Sequence, residues 1–134
     1  MKSKKSLKGE KKYYLADLSL QFITNPDSRI NFGPSLENIV YIYARSLGYA
    51  VSVGKIGKLE CDFILKDSNL SYSYVQVAYT ILGSKDTEDR EYKPLESIRD
   101  NYPKYVATTD NLFQRRSGVA HINVLTFMKE KSRF

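Results

Sequence analysis

Residues 59–79 read LECDFILKDSNLSYSYVQVAY, and the fold is decided there. From Leu59 to Leu65 the chain alternates. Leu59, Cys61, Phe63 and Leu65 fall on one face and Glu60, Asp62 and Ile64 on the other, the two-residue period of a strand. Lys66–Asn69 supplies a turn, and Ser71–Tyr79 is again strand-like, with Gln76 and Ala78 sharing a face with Tyr72 and Tyr74. An aspartate among apolar strand residues is costly to bury unless it is paired or liganded, which makes Asp62 the first candidate for chemistry.

Upstream, Ala50–Val53 within Tyr49–Lys55 fits another strand, closed on the first by a hairpin turn at Gly54-Lys55-Ile56-Gly57. Before it, Leu36, Ile39, Val40, Tyr43 and Leu47 follow the i, i+3, i+4 spacing of an amphipathic helix. Ser35 is placed to cap its start and Gly48 to stop it. Asn25–Pro34 is loop-like, and the apolar run Tyr13–Ile23 suits a short helix or an extended arm. Downstream, Asp86–Arg99 is helix-compatible, capped by Asp86 or Thr87, with Pro94 expected to kink or restart it. Tyr102–Thr108 and Val119–Leu125 are two further strand candidates, separated by a polar loop holding Arg115 and Arg116. The order is helix, three-strand meander, helix, strand, strand, an α/β chain with a mixed central sheet flanked by helices.

A length of 134 residues suits one domain with one hydrophobic core, and 42% apolar with 13% aromatic residues is a globular composition. The net charge of +6 is unevenly placed: +5 sits in residues 1–12, +2 in residues 129–134, and residues 13–128 carry −1. The expected organisation is a basic tail at 1–12, a single domain at 13–128 and a basic tail at 129–134. The near-neutral body makes overall basicity a weak argument for nucleic acid. One cysteine, Cys61, excludes an internal disulfide and a cysteine-based zinc site. No stretch reaches the ~20 apolar residues of a membrane span. The N-terminus is basic, but Tyr13–Ile23 contains Asp17 and Gln21 and lacks a cleavage-site pattern, so no signal peptide is expected and the expected location is the cytoplasm.

Three positions line up with Asp62. Glu37 lies in the first turn of the helix, while Gln76 and Ala78 stand two apart on the third strand. A metal-dependent phosphodiesterase needs oxygen ligands on neighbouring elements to hold Mg²⁺, and a lysine two positions along the last strand. Glu37, Asp62 and Gln76 offer the oxygens, and Ala78 stands where the lysine belongs.

This layout resembles the PD-(D/E)XK nuclease core. KYYLADL at Lys12–Leu18, LENIVY at Leu36–Tyr41, the pair Gly48–Tyr49 and VGK at Val53–Lys55 carry the resemblance further. So do CDFI at Cys61–Ile64, YVQVAY at Tyr74–Tyr79 and DNYPKYV at Asp100–Val106. Together they resemble the uncharacterised C-terminal domain that follows the ATPase module in many prokaryotic AAA+ proteins, over Lys12 to about Phe127. No G-x-x-x-x-G-K-[ST] loop is present, so the chain looks like that C-terminal domain alone. The resemblance implies a restriction-endonuclease-like fold, with Glu37 as the helix acid, Asp62 as the metal-binding aspartate and Gln76 as a degenerate third acid. It implies Mg²⁺ or Mn²⁺ as the cofactor, and DNA or an ATPase module, in cis or in trans, as partners. With Ala78 for lysine, nothing obvious orients or deprotonates the attacking water. The expectation is a catalytically degenerate nuclease-like domain that binds nucleic acid or protein; the alternative is an active endonuclease using Glu37 and Asp62.

Other residues have plainer roles. Glu37 also suits a helix N-terminus, where a carboxylate contributes ~0.3–1 kcal/mol. Gln76 also suits hydrogen bonding within a half-buried sheet. Lys55 or Lys58 could deputise for the missing lysine, though hairpin lysines are usually solvated. His121 is the lone histidine, so no two-histidine metal site can be built. No G-x-S-x-G motif supports Ser35, Ser46 or Ser117 as a nucleophile. Arg115 and Arg116 could meet phosphate, and Tyr72, Tyr74 and Tyr79 could stack on bases or simply fill a sheet face.

Overall fold

The computed structural model describes residues 32–134 apart from residue 57. The arm expected at Tyr13–Ile23 and the basic run at 1–12 lie outside the described residues. Within them, three helices flank one mixed six-stranded sheet, as the alternation and helical spacing require. Helix α1 is Phe32–Ser46 and is followed by β1 (Ala50–Ile56), β2 (Leu59–Lys66) and β3 (Tyr72–Val77). Helix α2 is Lys85–Glu96, then come β4 (Lys104–Thr108), β5 (Arg115–Arg116), β6 (Val119–Asn123) and α3 (Val124–Lys129). The spatial order is β1-β2-β3-β4-β6-β5. The first three strands form an antiparallel meander, α2 carries the chain to β4 parallel to β3, and β6 is parallel to β4.

Helix α1 begins at Phe32, so Ser35 lies in its first turn rather than at its cap, and Glu37, expected in the first turn, falls in the second. It ends as expected: Gly48 has φ +92°, the left-handed conformation that glycine adopts without a Cβ penalty, and Tyr49 N–H donates to Ala44 O. Helix α2 is capped by Ser84, whose Oγ accepts from Thr87 N–H at 3.1 Å, not by Asp86 or Thr87. It continues through Pro94 and stops two residues later, so the proline falls in its last turn. The run Val119–Leu125 is divided. Asn123 Oδ1 accepts from Thr126 N–H and starts α3 where a continuous strand was expected. The expected polar loop contains β5, a two-residue antiparallel edge beside β6.

The sheet separates two cores. Leu36, Val40 and Ala44 of α1 bury against Phe63, Leu65, Val75, Val77 and Ala107. Tyr92 and Leu95 of α2 bury against Cys61, Val106 and Val119. Cys61 therefore does not share a face with Phe63. The cause is a β-bulge: Ser52 pairs with Ile64 and Gly54 with Cys61, so Val53 alone opposes Asp62 and Phe63. Gly54 permits the arrangement, because a Cβ there would run into the Ile64 side chain.

The last residues are packed, although a tail was expected from residue 129. Phe134 lies against Tyr43, Tyr49, Tyr105 and Phe127, and Tyr49 Oη donates to Phe134 O at 2.7 Å. The Arg133 guanidinium sits 5.0 Å from the Tyr49 ring centroid.

Candidate functional site

The bulge that moves Cys61 also re-aims Asp62. The β2–β3 ladder ends at Phe63↔Val75, and beyond it side chains make the cross-strand bonds. Val77 N–H donates to Asp62 Oδ2 at 2.9 Å, and Asp62 N–H donates to Gln76 Oε1 at 3.1 Å. Gln76 Nε2 then donates to Glu91 Oε2 on α2 at 3.1 Å. Two sequence-selected residues are thus in direct contact and tied to a third that sequence reasoning missed. The Glu91 side chain is 14% exposed, with Arg90 Nε 3.8 Å from its Oε1. The signal for Glu91 was weak, because it is one acid in a helix crowded with charges. Its spacing from the buried Tyr92 and Leu95 places it beside the face that meets the sheet.

Ala78 packs against the apolar cluster of Cys61, Ile81, Tyr92 and Val106, so the position expected to hold a cation is lined by hydrocarbon. The Cys61 thiol is fully buried, and burial, with the Asp62 charge beside it, pushes it up to about 12. Cys61 is therefore a protonated packing residue at neutral pH, not a nucleophile. Glu37 belongs to the other layer. It is half-buried on α1 next to Leu36, whose helix packs on the sheet face away from α2. Among the described residues, no three His, Cys, Asp or Glu side chains gather into a group that could hold a metal ion. Asp62 and Gln76 each have an oxygen engaged by a backbone N–H, so neither is wholly free for a cation.

The remaining candidates have structural partners. His121 is buried, its Nδ1 2.7 Å from Leu112 O and its Nε2 2.6 Å from Thr108 Oγ1. A carbonyl only accepts, so Nδ1 carries the proton, and the ring ties the Leu112 loop to the end of β4. Arg116 bonds to Glu88, Asp89 and Glu96 of α2 and lies 5.0 Å from the Tyr92 ring centroid. The Asp89 and Glu96 hydrogen bonds raise its pKa and keep it charged. Tyr74 Oη donates to Asp100 Oδ2, and Lys104 Nζ donates to Asp100 O, Asp100 Oδ1 and Tyr102 O, each at 2.9 Å. The DNYPK segment therefore locks the entry to β4, and burial and the Asp100 bond raise the pKa of Tyr74.

An uncharacterised protein of Haemophilus influenzae is 35% identical over 108 residues, which are 81% of this chain and 26% of that protein. The chain thus spans about a quarter of the curated relative it matches. No family model and no solved structure matches it. The fold is α/β, and on its α2 side Asp62, Gln76 and Glu91 link the interior strands β2 and β3 to the helix. Among the described residues, no helix is long and apolar enough to cross a membrane.

Proposed function

We propose that this chain is a PD-(D/E)XK-like domain that has lost cleavage and serves as a cytoplasmic binding module of the AAA+ ATPase-associated type. The observation that carries this reading is Ala78. The residue two along from Gln76 is built into the apolar cluster around Tyr92 and offers no cation to a reacting phosphate. The antiparallel meander, the α2 crossover and the parallel β4 support the fold. The match to one quarter of a longer relative fits a domain that works beside others. Residues 13–134, whose end is packed on the domain, carry only +1, and this near-neutral body favours a protein partner such as the ATPase module over DNA.

One observation favours the alternative, an active Mg²⁺- or Mn²⁺-dependent endonuclease using Asp62 and Glu37. Helix α2 brings Glu91, with Arg90 beside it, to the amide where the third acid is lacking. Cleavage of supercoiled, linear and single-stranded DNA with either metal, in wild type and Asp62→Ala, separates the readings. The binding-module reading expects no metal-dependent cutting in either protein. Cutting that disappears in both Asp62→Ala and Glu91→Gln would establish the enzyme.

A further inference from the structure

A buried polar cluster at the carboxyl ends of β3, β4 and β6 shares no residue with the Asp62 site and is organised around one imidazole. His121 is the only histidine of the chain and is 5% exposed. Its Nδ1–H donates to Leu112 O at 2.7 Å, so Nε2 is bare and accepts from the Thr108 hydroxyl at 2.6 Å. Thr108 Oγ1 in turn accepts from Asp110 N–H at 2.9 Å. That bond seats Asp110, whose carboxylate accepts from Thr80 Oγ1 at 2.7 Å and from Ile81 N–H at 2.8 Å. Thr80 and Ile81 belong to the stretch that joins β3 to α2. One ring therefore ties the Leu112 loop, the end of β4 and the lead into α2 together.

The donors in this chain run one way. A proton added at Nε2 would meet the Thr108 hydroxyl proton head on. The hydroxyl cannot turn aside, because Thr108 is fully buried and among the described residues its proton has no other acceptor. A buried donor without a partner is costly. No neighbouring carboxylate bonds to the ring to offset a charge there. Asp110 is occupied by Thr80 and Ile81, Glu88 of α2 is paired with Arg116, and Glu130 of α3 only shares with His121 the lining of a surface cavity of about 160 Å³. That cavity gives water and protons a route to the ring.

We propose that His121 is a proton-sensitive latch, closed while the ring is neutral and opened by protonation at Nε2, which frees the loop after β4 and the β3–α2 stretch together. The closed form takes up no proton and the open form takes up one, so acid favours opening. Once the open form is protonated, each further pH unit multiplies the open-to-closed ratio about tenfold. Histidine is the side chain that ordinarily changes charge between pH 5 and 8, and the Cys61 thiol, pushed up to about 12, does not titrate there.

The test is ¹H–¹⁵N NMR with amide hydrogen exchange on the full chain from pH 8 to pH 5. Ring ¹⁵N shifts should show the Nδ1–H tautomer at pH 8, and the Asp110 and Ile81 amides should follow the ring through one transition. Their exchange, corrected for its intrinsic pH dependence, should accelerate about tenfold per pH unit below that transition, while the Val75 amide in the α1-side core should not. His121→Gln should abolish the transition at Asp110 and Ile81. The wild-type spectra decide the matter even where the variant folds poorly. A ring that titrates without Asp110 and Ile81, a ring still neutral at pH 5, an Nε2–H tautomer, or a transition that survives in His121→Gln would each overturn the latch.

Discussion

The two faces of the sheet are held together by different physics. On the α1 face, Leu36, Val40, Ala44, Phe63, Leu65, Val75 and Val77 make an apolar core, extended by the aromatic group around Phe134. On the α2 face, a smaller apolar cluster is ringed by polar bonds: Asp62–Gln76–Glu91 at one place and Arg116 with Glu88, Asp89 and Glu96 at another. Burial scales with area and ignores pH, whereas ion pairs and directional bonds are adjustable and sensitive to conditions. The first face therefore sets global stability, and the second carries the directional polar contacts. Substitutions on the two faces should differ in size and in pH dependence.

The largest effect is expected on the first face. Phe63 is fully buried, so Phe63→Ala should lower unfolding free energy by about 3–5 kcal/mol in urea titration, with little dependence on pH. A loss under ~1 kcal/mol would mean that the α1 core is not the dominant one.

Arg116→Met should cost less, roughly 1–2 kcal/mol near neutral pH, because it removes charged hydrogen bonds at a partly exposed site. Its pH dependence distinguishes the faces. For Glu88, burial by itself raises the pKa, but the Lys85 and Arg116 bonds outweigh it and hold the carboxyl below its usual value. For Asp89, the Arg116 bond lowers the pKa first and most. A folded-state value below the unfolded one means that the unfolded chain binds more protons as pH falls. The contribution is whole above the ordinary carboxylate range, about pH 4, and drains away as pH falls through the folded values. Wild type should therefore lose stability more steeply below about pH 4 than Arg116→Met does, by chemical denaturation across pH 2–7. Parallel profiles would show that the network contributes nothing.

The same division governs what could be read from the sequence. Apolar periodicity announced the α1 face: Leu36, Val40 and Gly48 specify that helix and its end, and the meander follows from alternation. The polar face was half legible. Asp62 and Gln76 stood out as polar residues in apolar strands, and the structure joins them. The bulge was hidden, because one extra residue in an alternating run leaves composition untouched while exchanging faces beyond it, which is why Cys61 was grouped with Phe63. Asn123 was lost inside an apolar run, although its N-cap bond to Thr126 starts α3. Glu91 was lost among the acids of α2, since only tertiary packing selects which of them meets Gln76.

The smallest effect is the most discriminating, because it asks whether the Asp62 site is built for stability. Gln76 is half-buried and satisfies Asp62 N–H on one side and Glu91 on the other. Gln76→Leu keeps most of the shape and removes both bonds. If the network only holds α2 to the sheet, the loss should be about 1 kcal/mol, the ordinary net value of a hydrogen bond, by urea titration. If the Asp62 carboxylate and the Glu91 carboxylate are instead kept for a ligand, the glutamine serves to fix Glu91 against β2 and β3. The leucine variant would then be neutral or slightly more stable, while binding of any partner at Asp62 would fall. A loss of 1 kcal/mol or more assigns the polar face to scaffolding like the apolar one, and a loss near zero marks it as the part of the molecule kept for function.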